Sequence, residues 1–69
     1  MRNPDRLDDF YNKVKDIHKK YFPDWRFGQL MSNFLGWLYQ EKKRDCFFPE
    51  EDEMLKHLEE YANKNSQWA

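Results

Sequence analysis

The chain has 69 residues, with 12 Lys and Arg against 13 Asp and Glu for a net charge of -1. That balance excludes attachment to nucleic acid or anionic lipid by bulk charge. A single domain of this length buries only about 60% of its unfolded surface, which leaves little room for an enclosed substrate pocket.

The first helix is predicted over about residues 4–22. Asn3 can cap it, Pro4 suits its first position and Asp5 complements the positive end of the dipole. Leu7, Phe10, Tyr11, Val14, Ile17, His18 and Tyr21 recur at helical spacing and form a stripe about 120° wide. Asp9 with Lys13 and Asp16 with Lys20 are i,i+4 pairs in the favourable order. Pro23 should end the helix, because the residue before a proline is pushed out of the helical region.

The second helix is predicted over about 25–43 with Asp24 as its cap. Phe27, Leu30, Met31, Phe34, Leu35, Trp37, Leu38 and Tyr39 cover roughly 200° of its girth. So wide an apolar face must be covered on two sides, which makes this the central helix. Lys42, Lys43 and Arg44 fall at its negative end.

The third helix is predicted over about 50–63, with the acidic run Glu50, Glu51, Asp52 and Glu53 at its positive end. Met54, Leu55, Leu58, Tyr61 and Ala62 are its stripe, and residues 64–69 read as a frayed tail apart from Trp68. No alternating β-branched run signals a strand. The expected fold is all-α: one compact three-helix domain with the second helix central.

The lone Cys46 leaves no internal disulfide framework and fits a reducing, cytoplasmic compartment. The sequence predicts no secretory leader, and no apolar run comes near the roughly 18 residues of a membrane span.

Enzyme chemistry finds no motif: there is no nucleophile elbow, phosphate loop or Cys–His spacing. His18, His57 and Cys46 lack ligand spacing for zinc, and His18 reads instead as a hydrogen-bonded ring at the edge of the core. No cofactor is implied. Gly28, Ser32 and Gly36 make a ridge of small residues, each glycine costing about 1 kcal/mol against alanine in a helix. The ridge should therefore admit a close neighbour, either within the domain or in a second copy.

Two function classes remain. Lys13, Lys15, Lys19, Lys20, Lys42, Lys43 and Arg44 could serve a nucleic-acid-binding accessory protein, but acids interleave the first group and a helix end explains the second. The link from about 44 to 49 is also too long for a helix-turn-helix. The favoured class is a protein-interaction module able to self-associate. Trp25, Trp37, Phe47, Phe48 and Trp68 are more aromatic surface than three short helices hide, and such patches mark association sites. Gly36, Trp37 and Tyr39 are the expected contact with a second copy or partner.

The stretches "RNPDRLDDF", "FPDWRFGQLMSNF" and "DCFFPEEDEMLKHLEEY" resemble a family of short uncharacterised proteins of Gram-positive bacteria and their phages and prophages. The family marks fall on Arg2, Pro4 and Arg6, then on Pro23, Asp24, Arg26, Gly28, Gln29 and Leu30, then on Asp45, Phe47 and Asp52. Cys46 stands in place of a proline and Phe48 in place of a tyrosine. The resemblance implies no activity; it implies a mobile-element setting, where small helical proteins often act by binding another protein. Arg26, set against the dipole at a helix start, needs an answering carboxylate. It is expected either to clamp the interhelix loop through Asp24, Asp45 or the acidic run, or to meet a partner.

Overall fold

The computed structural model describes residues 2–65 and contains three helices and no strand among them. The first helix starts two residues later than expected, with Asp5 in the N-cap position, and Asn3, expected as the cap, instead opens the turn before it. Its Oδ1 accepts the Asp5 N–H at 3.0 Å, and i to i+3 bonds from Arg6, Leu7 and Asp8 lead into α1, Arg6–Tyr21. This tight lead-in satisfies N–H groups that have no partner inside the helix.

Pro23 stops α1. The Trp25 N–H bonds the Phe22 carbonyl at 3.1 Å, so residues 22–25 form a β-turn with Pro23 in the position that favours its fixed φ. Asp24 is thus an exposed turn residue and not the cap of α2. The second helix, Phe27–Lys42, starts later than expected, with Arg26 as the extended N-cap residue. Gln29 Oε1 accepts the Arg26 N–H at 2.7 Å. That is one arm of a capping box; the other is missing because a guanidinium has no acceptor.

At the far end of α2, Lys43 takes a left-handed conformation at φ 55°. The Arg44 N–H then reaches back to the Leu38 carbonyl at 3.2 Å. The Lys43 N–H also bonds the Leu38 carbonyl, closing the six-residue ring that satisfies helix-end carbonyls. The third helix, α3, runs Glu51–Asn65, two residues beyond the expected end. Asn65 donates to the Tyr61 carbonyl at 2.9 Å. The remainder of the predicted tail, with Trp68, lies outside the described residues.

The two outer helices of the sequence lie side by side in the same direction. Arg6 pairs with Glu51 at their starts at 2.8 Å, and the Tyr21 hydroxyl lies 3.4 Å from Asn63 Oδ1 at their ends. The most extensive seam is therefore α1 against α3, and α2 returns across them, closer to α3. Leu30, Phe34 and Leu38 of α2 are fully or almost fully buried, as are Leu58, Tyr61 and Ala62 of α3, and it is α3, not the second helix, that shares a seam with both others. The buried arc of α2 is narrower than the 200° expected. Leu30, Phe34 and Leu38, four apart, span about 80°, while Met31, Leu35 and Trp37 are half-buried and Phe27 and Tyr39 are exposed.

Ile17, Phe22, Leu30, Phe34, Leu58, Tyr61 and Ala62 form the core cluster. Phe22 belongs to no predicted stripe, yet it is only 1% exposed. The turn at Pro23 folds it inward, against Trp25 at 4.4 Å and Tyr61 at 5.7 Å between ring centres. Among the described residues no helix is long and apolar enough to cross a membrane.

Candidate functional site

The three helices leave an apolar groove of about 300 Å³ on one side of the core. Phe10, Tyr11 and Val14 of α1 line one wall, and Met54 and Leu58 of α3 line another. Phe27, Met31, Phe34 and Leu35 of α2 complete it, with Cys46 from the following loop. Helical spacing aligns these residues: 27, 31, 34 and 35 share one face of α2, as 54 and 58 do on α3. Phe34 and Leu58 are buried and form the floor, whereas Tyr11 and Phe27 stand on the rim, 62% and 68% exposed. Tyr11 is held edge-on to Phe10 at 5.1 Å. The lining carries no carboxylate, imidazole or ammonium group.

Beside the groove, the loop after α2 projects Phe47 and Phe48, 81% and 74% exposed. The rings pack edge to face at 5.1 Å, and Asp45 Oδ1 accepts the Phe47 N–H at 2.7 Å. Two large aromatics are thus held in water by a local turn. That is an unfavourable arrangement for side chains of this size unless something covers them.

The residues expected at an interface separate into three places. Trp25 and Trp37 are half-buried parts of the core. Trp25 stacks on Phe22, and Trp37 lies 5.4 Å from Tyr61 and 6.3 Å from Phe34, with Lys42 Nζ 5.9 Å over its ring. Their expected exposure is corrected: the inward turn at Phe22 and the placement of Tyr61 give both indoles internal neighbours. Gly36 and Tyr39 are exposed on the face of α2 turned away from the core. Phe47, Phe48 and Arg26 do not line the groove but are the chain neighbours of residues that do, Cys46 and Phe27.

The glycine ridge does not pack inside the domain. A Cβ at Gly28 or Gly36 would meet nothing within 4 Å. Ser32 lies about 160° around α2 from Phe34, so the ridge faces away from both neighbouring helices. Arg26 does not clamp the loop either: among the described residues no carboxylate lies in salt-bridge reach of it, and it is exposed. The loop is fixed instead by His18, whose Nε2 donates to the Trp25 carbonyl at 2.7 Å. The acceptor is a carbonyl, so that nitrogen must carry the proton.

Two of the three basic residues at the end of α2 are occupied. Lys42 pairs with Glu60 at 2.8 Å and Arg44 with Glu53 at 2.7 Å. The acidic run likewise does more than complement a dipole, since Glu50 pairs with Arg2 and Glu51 with Arg6. No group of three or more metal-ligating side chains comes together among the described residues.

The groove itself escaped sequence reasoning. Tyr11 and Phe27 fall inside helical stripes and read as core. The one available signal was the surplus of aromatics over what three short helices can hide. No protein-family model, curated protein or solved structure matches this chain.

Proposed function

We propose that this chain is a small, cytoplasmic, non-enzymatic protein-interaction module that self-associates, in the phage or prophage setting its motifs resemble. One observation carries the reading: an apolar groove rimmed by exposed Tyr11 and Phe27 adjoins a loop that presents Phe47 and Phe48 to solvent. Exposed aromatics around a concave apolar surface are the usual composition of an interface centre. No carboxylate, imidazole or ammonium group lines the groove to activate Cys46, which supports a binding role over catalysis. The engagement of Lys42 and Arg44 with α3 carboxylates weighs against a nucleic-acid-binding accessory role.

The test is capture by the full chain from its native host, run in parallel with the double variant Phe47→Asp, Phe48→Asp. A specific protein partner is retained by the wild type and lost by the variant, while mobility-shift assays near physiological salt show no binding of DNA or RNA at low micromolar protein. Submicromolar binding of nucleic acid that weakens steeply with salt would replace this reading with the other.

A further inference from the structure

We propose that the groove is filled by the loop 46–48 of a second copy of this chain, in a two-fold symmetric dimer. This rests on the protein-interaction reading and names its partner. Three features of the surface support it.

The first is shape. A two-fold contact needs one patch that carries both a projection and its receptacle. Cys46 lines the groove while its neighbours Phe47 and Phe48 project beside it. A two-fold axis near Cys46 therefore sets each loop over the other copy's groove. The loop is built to project, because the Asp45 side chain accepts the Phe47 N–H and the two rings brace each other.

The second is charge. Arg26, next to the rim residue Phe27, has no carboxylate in reach among the described residues, and it faces the positive end of α2. Asp45, next to Cys46, is in no ion pair among those residues, and Oδ1 alone is engaged. Seating the loop of one copy in the groove of the other brings Asp45 toward Arg26, twice per dimer. Each orphan charge then has its answer in the partner.

The third is area. Aromatic side chains bury about 150–250 Å² each. At the exposures of Tyr11, Phe27, Phe47 and Phe48, two copies together withdraw about 1,100 Å², just above the ~1,000 Å² of a specific interface. That is the low end of specific interfaces, where weak and transient contacts lie.

Sedimentation equilibrium of the full chain tests this. The wild type is expected to be a dimer at about 50 micromolar. Phe47→Asp with Phe48→Asp should raise the dissociation constant about tenfold or more, with helical circular dichroism unchanged because both residues are exposed. Arg26→Glu alone and Asp45→Lys alone should each weaken the dimer. An equimolar mixture of those two variants should regain it, because in the mixed dimer both 26–45 contacts join opposite charges. Alkylation of Cys46 should slow as protein concentration rises. The proposal is overturned by a wild type that stays monomeric at millimolar concentration, by a dimer indifferent to Phe47 and Phe48, or by a mixture no stronger than its components. A dimer broken by Gly36→Leu and not by the loop variant also overturns it, yet leaves the interaction reading standing. A monomer whose host partner is lost in the loop variant does the same. A monomer with no protein partner sinks both.

Discussion

Arg6 Nε donates to Glu51 Oε1 at 2.8 Å and so ties the start of α1 to the start of α3. Their helices run in parallel, and this contact sets the register in which they do. The hydrogen bond from Arg6 is the main cause that holds the Glu51 carboxyl below its ordinary value. Glu60 is held down in the same way, first by Lys42 and then by Lys64.

A depressed folded-state pKa means the native chain releases the proton more readily than the unfolded one. The stability from these pairs is therefore fully present above the ordinary glutamate value of about 4.3 and is lost as pH falls through the lower folded values. Thermal melts between pH 7 and pH 3 should show this loss. Glu51→Gln with Glu60→Gln should start less stable at pH 7 and lose less on acidification. An unchanged pH slope in that double variant would refute the assignment.

Phe34 is the floor of the groove and also a core residue, nearly sealed between Tyr61 and Trp37. Phe34→Ala should cost about 3 to 5 kcal/mol, and Leu30→Ala about 2 to 5. A domain this small holds only about 3 to 5 kcal/mol in all, so Phe34→Ala should be largely unfolded by circular dichroism at 25 °C. A folded Phe34→Ala with an unmoved melting point would mean the core is elsewhere.

The glycines of α2 give a prediction of the opposite sign. With nothing within 4 Å of a Cβ at Gly36, Gly36→Ala should stabilise the monomer by about 1 kcal/mol. For a domain of this size that raises the melting point by about 4 to 8 °C. Destabilisation would show that a close neighbour occupies that face.

Lys43 is the position where a glycine would help. It is the one described non-glycine residue with positive φ, a conformation that costs a side chain about 1 kcal/mol. Lys43→Gly removes that strain, partly offset by the freer unfolded chain. Denaturant melts should show a gain of about 0.5 kcal/mol, and a clear loss would contradict the left-handed cap.

The helices were legible because periodicity and breakers are local signals: Pro23 and the 7–21 stripe fix the body and end of α1 without reference to anything distant. Packing was less so. Leu30, Phe34 and Leu38 could not be told from Phe27 and Tyr39 by hydrophobicity alone, since which part of a wide apolar face is covered depends on where α1 and α3 lie. The turn that folds Phe22 inward gives Trp25 an internal partner, and no spacing rule reports such a turn. Arg26 was visible as an electrostatic anomaly, but its lack of a carboxylate partner is a three-dimensional fact. The Phe47–Phe48 pair was read correctly as surplus, because a short irregular loop has no periodicity with which to bury two rings. The groove it borders needed all three helices in place to exist.

The central claim is that this groove is the surface where the chain meets another protein chain, a second copy of itself. Methyl spectra of the full chain, recorded from 10 micromolar to 1 millimolar, test it most directly. Met31 and Met54 line the groove, and Ala62 is sealed in the core away from it. The account predicts that the Met31 and Met54 methyl resonances shift with concentration while Ala62 does not, and that Phe47→Asp with Phe48→Asp abolishes the shift. Met31 and Met54 resonances unmoved across that range, or a shift that survives the loop variant, would contradict it.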